Sequence, residues 1–224
     1  MKISRCAILT ALIMSAAFMM AGAGAISLAR VQPGPQAQPA SGALTPEERA
    51  TLLNQLTTTK QGFIDSIRGL NEAQWRFKPN PFKWSVAECA EHIIVSEDFL
   101  FGVSQQMLKS PVQPRTSITG LPPDQGLLMR VADRSQKFLN PDALAPKGKF
   151  KTPDEAMAEF TARRDRHIEY ARTTNDELRA HTSQGPGGSK LDAYQYLLLM
   201  AAHSGRHTAQ IKEVQANPKY PVAP

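Results

Sequence analysis

Cysteine is scarce in this 224-residue chain, which contains only Cys6 and Cys89. If the N-terminal segment that includes Cys6 is removed, Cys89 has no second cysteine with which to form an intramolecular disulfide. A small secreted fold held together by disulfides is therefore excluded. The stretch 45–218 is long enough for one domain, and that domain must be stabilised by its apolar core.

The chain also lacks an apolar stretch of the roughly 20 residues that a membrane span needs. Residues 6–20 are apolar, follow the basic residues Lys2 and Arg5, and precede small residues typical of a cleavage site. This order predicts a signal peptide over 1–25 and export to the periplasm or the medium. An uncleaved N-terminal anchor is the alternative, and after cleavage we expect no stable membrane span.

Residues 26–44 have little to bury, since they are rich in Pro, Gln, Ala and Gly, and they predict a flexible linker. The net charge is also modest. It falls from +6 to +4 without residues 1–25, because that segment carries two basic residues and no acid. The basic residues are scattered and form no stripe with aromatic residues, so we expect no nucleic-acid partner. An unidentified small-molecule substrate is expected, and a homodimer is left open.

No alternating pattern typical of strands and no internal repeat is present. Instead, signals for helix starts recur at Thr45 with Glu48, at Ser85 with Glu88, and in the TPDE stretch at 152–155. The predicted helices span about 45–70, 85–109, 127–139, 152–181 and 191–214, with a Gly-rich break over 182–190. The sequence therefore predicts an all-α domain over 45–218 with a C-terminal tail over 219–224. Its architecture is an antiparallel four-helix bundle with an extra short helix and loop between the second and third main helices.

Two histidines lie on the apolar face of the last predicted helix. His203 and His207 are one turn apart and share that face with Leu199 and Met200. An i, i+4 pair of imidazoles on a helix can bind one metal ion. The helical motif of zinc proteases also requires a Glu beside the first His, and Ser204 occupies that position here. The alternative is two partly buried histidines that hydrogen-bond to neighbouring helices.

A third histidine, His92, lies on the second predicted helix, on a face shared with Cys89, Val95, Ser96 and Phe99. Because that face is otherwise apolar, His92 is also expected to point inward. Three imidazoles from two helices would form a three-nitrogen site with an open position, as in catalytic zinc sites. Unliganded, such a buried cluster would be costly, because each ring needs polar partners. The three rings are therefore either bound to a metal or not clustered.

The segments FKPNPFKWSVAECAEHI and LDAYQYLLLMAAHSGRHTAQIKEV resemble the DinB-like (DinB/YfiT) superfamily of four-helix bundles. The resemblance covers about 48–216. It implies a divalent metal bound by one His of the second helix and two of the fourth, which are His92, His203 and His207 here. Zinc, nickel and iron all suit three imidazoles. Characterised members of the family include metal-dependent thiol S-transferases and an isomerase that works with such a thiol.

Three polar residues are expected to support this site. Gln210 lies three residues after His207 and can hydrogen-bond a ligand or a nearby water. Glu88 and Ser96 flank His92 by one turn each and can orient its second nitrogen. For Glu88, helix capping is the alternative role.

The remaining cysteine, histidines and tryptophans are expected to have structural rather than chemical roles. We expect Cys89 to be a buried, unreactive thiol and His167, among charged neighbours, to lie on the surface. His181 precedes the Gly-rich break and stays outside the expected site, with a mobile lid as the alternative. Trp75 and Trp84 are interpreted as packing anchors rather than as substrate platforms.

Three functions remain open. The first is a metal-dependent enzyme, either a transferase similar to the thiol S-transferases or a hydrolase, in which the metal activates a nucleophile. Against it, low-molecular-weight thiols are chiefly cytosolic and no residue is an evident general base. The second is a non-catalytic module that binds a metal or a small ligand. The third is a structural bundle with a vestigial site.

Overall fold

Four long helices and two short ones form the domain. The computed structural model describes residues 41–137 and 141–222. The elements are, in chain order, α1 (Pro46–Ile67), α2 (Glu72–Arg76), α3 (Val86–Met107), α4 (Asp124–Ala132), α5 (Pro153–Thr173), β1 (Thr182–Gln184), β2 (Lys190–Asp192) and α6 (Ala193–Gln215). The predicted signal peptide over 1–25 and most of the predicted linker lie outside the described residues.

The helices begin where the sequence provides caps. In α1, the Thr45 hydroxyl accepts the Glu48 backbone N–H and the Glu48 carboxylate accepts the Thr45 N–H. Ser85 and Glu88 repeat this reciprocal arrangement at α3. Each cap satisfies backbone N–H groups that have no partner inside the helix. At α6 the cap is Asp192, so the last helix begins at Ala193, close to the predicted start.

Two apolar clusters fill the bundle and reveal the helix directions. The first cluster is formed by residues from the N-terminal halves of α1 and α6, such as Leu52 and Leu197. It also contains residues from the C-terminal halves of α3 and α5, such as Leu100 and Ile168. The second takes the opposite halves, as in Phe63, Ile211, Ile93 and Phe160. Hence α1 and α6 run in one direction, and α3 and α5 run in the other. The long connection 108–152, which contains α4, allows α5 to follow the direction of α3. The predicted four-helix bundle with an extra short helix in this position is confirmed.

The third long helix ends earlier than predicted. α5 stops at Thr173 rather than near His181, because the next residue, Thr174, has extended backbone angles. The Arg49 guanidinium of α1 donates hydrogen bonds to the carbonyls of Ala171 (2.6 Å) and Thr174 (2.8 Å). It thereby supplies donors to carbonyl groups that have no helical partner at a helix C-terminus. Helical periodicity cannot indicate a cap that comes from another helix.

The predicted Gly-rich break contains a small antiparallel hairpin, which no pattern in the sequence predicted. β1 pairs with β2 with Ser183 opposite Leu191. The turn between the strands uses Gly187 (φ 71°) and Gly188 (φ 78°), in the left-handed region that favours glycine. Strands of three residues are too short for an alternating pattern to be recognised.

The end of the predicted linker contacts the domain. The Gly42 N–H donates to Glu177 (3.2 Å), and its carbonyl accepts the Arg179 N–H (2.9 Å). A Cβ atom at position 42 would lie 2.4 Å from Ala180 Cβ, so this close approach requires glycine. No helix in 41–137 or 141–222 combines the length and the apolar character needed to cross a membrane.

Candidate metal centre

Three histidines meet between α3 and α6, and we call His92, His203 and His207 the three-histidine cluster. One ring nitrogen from each lies within 4.8 Å of one nitrogen from each of the others. The closest pair is His92 Nε2 and His203 Nε2, at 3.2 Å. The ring of His92 is 3% exposed, whereas His203 and His207 are each partly exposed. The structure thus brings together the three histidines that the sequence selected.

Two hydrogen bonds orient the rings from outside. His92 Nδ1 lies 2.9 Å from the carbonyl oxygen of Leu144, and His207 Nδ1 lies 2.8 Å from Gln210 Oε1. Because both partners are acceptors, each Nδ1 is inferred to carry the proton. The lone pairs of His92 and His207 are therefore on Nε2, and the Nε2 of His92 faces His203 Nε2 inside the cluster. This is the arrangement by which outer partners orient histidine ligands.

Among the described residues, one of the three predicted supporting residues, Gln210, has a hydrogen bond to an imidazole of the cluster. Gln210 holds His207, as its spacing suggested. The Glu88 carboxylate caps α3 through Ser85 and pairs with Lys78 Nζ at 2.9 Å, so it serves the capping role. The Ser96 hydroxyl is buried without a hydrogen-bond partner in the described structure. His92 is oriented instead by the Leu144 carbonyl, which sequence reasoning missed because a backbone contact leaves no side-chain signature.

The three rings are held in their neutral form. Burial lowers the pKa of His203 well below its usual value, and the neighbouring His207 and His92 lower it further. Burial, again with His92 beside it, lowers the pKa of His207 to about 3. Burial lowers the pKa of His92 as well, although its bond to Leu144 opposes the shift. Neutral imidazole is the form that binds a metal, so the cluster needs no deprotonation at neutral pH.

One wall of the cluster is aromatic and another is cationic. The half-buried Trp84 ring lies with its centroid 4.9 Å from that of His92 and 5.9 Å from that of His207. Arg134 Nη1 donates to Gln210 Oε1 at 3.3 Å, and the same guanidinium pairs with Glu213 at 2.7 Å. Trp84 was predicted to be a packing anchor, and its ring packs against two of the three histidines.

Two other histidines lie apart from the cluster. His167 was predicted to lie on the surface, and this is wrong: it is 4% exposed. Its ring stacks on Phe101 with centroids 4.3 Å apart, and its Nδ1 lies 3.3 Å from Glu97. Of its charged neighbours in the sequence, Asp165 and Arg166 are exposed, whereas Arg164 is buried and bonds to the same Glu97. His181 is buried and its Nδ1 lies 3.3 Å from the Ser110 hydroxyl.

Cys89 is completely buried, and burial raises the pKa of its thiol to about 12. The predicted unreactive thiol agrees with this environment, because only the thiolate is a good nucleophile or metal ligand.

The donor set fits a divalent metal of the zinc, nickel or iron type. Three imidazole nitrogens converge on a common space, two of them with the tautomer fixed by an acceptor on the other side. Three protein ligands leave a position for water or substrate, whereas closed structural zinc sites have four. Nitrogen donors suit these metals better than magnesium or calcium, which prefer oxygen.

Comparisons with known proteins show the family from the sequence and the fold from a solved structure. A family model described as the DinB superfamily matches residues 55–211. Among solved structures, the chain is similar to YfiT from Bacillus subtilis, which is described as a probable metal-dependent hydrolase with an unusual four-helix bundle topology. The TM-score is 0.52 at 15% identity, over 77% of this chain and 89% of YfiT. No curated protein matches the sequence.

Proposed function

This chain belongs to the DinB superfamily, and on that premise we propose that it is a metal-dependent enzyme whose divalent cation is held by His92, His203 and His207. The observation that carries the proposal is the convergence of three neutral imidazoles, with one nitrogen from each within 4.8 Å of the others. When bound by three neutral imidazoles, such a cation acts as a Lewis acid that lowers the pKa of a water or thiol in its open position.

The surrounding residues prepare the cluster for that task. The Leu144 carbonyl and Gln210 hold two rings by their outer nitrogens, so their inner nitrogens are presented with little further loss of freedom. Arg134 holds Gln210 in turn. Trp84 packs against His92 and His207 on one side of the cluster.

Hydrolysis is the reaction that we favour. YfiT, whose fold this chain shares, is described as a probable metal-dependent hydrolase. We also propose export, from the signal-peptide pattern in residues 1–25. Outside the cytosol water is always available, whereas low-molecular-weight thiols are scarce. Thiol transfer of the kind found in the family is the alternative reaction at the same cluster.

A non-catalytic metal-binding module is the second candidate. One observation favours it: among the hydrogen bonds of residues 41–137 and 141–222, none joins a carboxylate to the rings of the three-histidine cluster. A general base of the usual carboxylate type is therefore not in contact with these rings.

Elemental analysis of the purified protein tests metal binding. We expect one zinc, nickel or iron per chain in the wild type and loss of that metal in His203→Ala. His181→Ala is the matched control, because it removes a buried imidazole that lies outside the cluster. Equal metal content in His203→Ala and His181→Ala would refute the proposed ligands.

Activity of the loaded protein separates the candidates. Ester hydrolysis and thiol transfer are measured with metal-loaded and chelator-treated wild type. Turnover of an ester that disappears on chelation and in His203→Ala supports hydrolysis, and thiol transfer with the same dependence supports the alternative. Tight, stoichiometric metal with no turnover of either substrate class supports the binding module.

A further inference from the structure

A buried arginine joins all four long helices. Arg164 of α5 is completely buried, and its five N–H groups all have acceptors. Nε and Nη2 donate to the two carboxylate oxygens of Glu97 in α3, and Nη2 also donates to Ser204 Oγ of α6 at 2.7 Å. Nη1 donates to the Leu56 carbonyl (2.8 Å) and to Thr59 Oγ1 (2.7 Å), both in α1. We call Arg164, Glu97, Ser204 and Thr59 the Arg164 network.

The network lies between the two apolar clusters and beside the three-histidine cluster. Ser204 directly follows His203 in α6, and Glu97 follows His92 by little more than one turn of α3. The Ser204 hydroxyl also lies 2.7 Å from Glu97 Oε1. The two helices that carry the histidines are therefore hydrogen-bonded to each other next to the cluster.

Directional bonds define the register of packed helices more strictly than apolar contacts do. Apolar side chains accept modest sliding of one helix along another, whereas a completely satisfied buried network loses hydrogen bonds on any shift. One residue of sliding moves a helix by about 1.5 Å. Metal–ligand distances tolerate only about 0.2 Å. The α3–α6 register must therefore be fixed for three imidazoles to share one ion.

We infer that the Arg164 network sets the α3–α6 register, so that Glu97, Arg164 and Ser204 are positioning residues for the three-histidine cluster. Among the hydrogen bonds of the described residues, none joins these three side chains to an imidazole of the cluster. They act by holding His92 opposite His203, and this part of the inference applies to the metal-free protein. The consequence for metal affinity rests on the proposed function.

The inference is tested by removing, one at a time, two hydroxyl groups that accept hydrogen bonds from the Arg164 guanidinium. Ser204→Ala removes an acceptor on α6, which carries two of the histidines. Thr59→Val removes an acceptor on α1, which carries none, and retains the methyl group that faces Gly205. Each variant leaves one N–H of Arg164 without its partner, and Ser204→Ala also removes the hydroxyl that donates to Glu97 Oε1. Both are therefore expected to lower the melting temperature, Ser204→Ala by more.

Two readouts distinguish positioning from stability. In the metal-free protein, nuclear Overhauser effects between the ring protons of His92 and His203 report their contact. Cobalt(II) affinity, measured by chelator competition, and the cobalt absorption spectrum report the geometry of the loaded cluster. We expect Ser204→Ala to weaken the ring contact, to lower cobalt affinity about tenfold and to alter the spectrum. Thr59→Val should leave all three unchanged.

Equal effects of the two variants on ring contact or on cobalt affinity would overturn the inference, as would the absence of the ring contact in the wild type. Loss of the contact in Ser204→Ala alone, in a protein that binds no cobalt, would support the inference and refute the proposed function. The double variant E97M/R164M gives a second test. It replaces the ion pair with apolar side chains, and we expect a folded bundle with weakened His92–His203 contact.

Discussion

The three-histidine cluster and the Arg164 network are neighbouring buried polar groups in one bundle, but their hydrogen bonding is opposite in kind. Every N–H of Arg164 has an acceptor, and both oxygens of Glu97 accept hydrogen bonds. In the cluster, the outer nitrogens of His92 and His207 have carbonyl acceptors, and the inner nitrogens of His92 and His203 face each other at 3.2 Å. In a closed polar group every donor and acceptor already has a partner within the fold, whereas an open one is suited to a ligand that the chain itself does not supply.

The largest effect on stability is expected when one partner of the buried ion pair in the Arg164 network is removed. Arg164→Met leaves Glu97 buried without its cation, which typically costs 3–5 kcal/mol, and we expect a loss of about 4 kcal/mol in the free energy of unfolding. Urea denaturation measures it. E97M/R164M is the control and should recover most of the loss, because replacing a whole buried ion pair with apolar residues is often neutral. A single variant as stable as the wild type would show that the network is not closed.

A metal bound at the three-histidine cluster should instead increase the stability of the folded protein. A divalent metal at 100 times its dissociation constant should raise the free energy of unfolding of the wild type by about 2.7 kcal/mol. The same metal should leave His203→Ala unchanged. Calorimetric melts with and without chelator provide the measurement. A metal-dependent rise in both proteins would place the binding elsewhere.

The two groups should also respond to acid in different pH ranges. The pKa of His207 is about 3 in the fold against 6.5 for the free side chain, so the unfolded chain binds the proton first as the pH falls. The metal-free protein should therefore be fully stable above pH 6.5, and His207 alone should cost it about 2 kcal/mol at pH 5. For Glu97, burial raises the pKa but Arg164 and the hydrogen bonds to the carboxylate bring it to about 2, so its contribution is lost only below about pH 4.5.

Urea titrations at several pH values test this order. The step between pH 6.5 and 5 should become smaller in His207→Ala, while the loss below pH 4.5 should persist. A wild-type protein with constant stability from pH 7.5 to 5 would show that its histidines are not held neutral.

The smallest effect is expected for the outer partner of one ring. Gln210→Leu removes the acceptor of His207 Nδ1 and should weaken metal binding about tenfold, or about 1.4 kcal/mol. Gln215→Leu is the control on the same helix, because Gln215 donates to the Ser66 carbonyl and does not contact the cluster. Chelator competition measures the metal affinity of both variants, and equal affinities would show that Gln210 does not support metal binding.

Residue spacing was sufficient to find the histidines but not all of their partners. His203 and His207 share a helix face because of the 3.6-residue period, and Gln210 follows on that face, so these positions were predictable. Leu144 lies far from His92 in the chain and contributes a backbone carbonyl, which no sequence motif indicates. The face of His92 was predicted only in part, since Phe99 on the same face is 46% exposed.

The wrong prediction for His167 also arose because its partners are distant in the sequence. Its charged neighbours suggested the surface, but one of them, Arg164, one turn earlier, is completely buried and each of its N–H groups has an acceptor. A buried charge is stable only when its partners surround it, and those partners come from three other helices. Sequence distance hides such partners.

The sequence alone determined the elements that depend on neighbouring residues: the reciprocal caps at Thr45 and Ser85, the four long helices, and the pair of histidines one turn apart. Only the tertiary structure decided which rings meet, where α5 ends against Arg49, and how α3 and α6 are aligned. The physical reason is range, because caps and helical periodicity act within a few residues, whereas the ends of a helix and the contacts of a ring depend on groups more than 50 residues away along the chain.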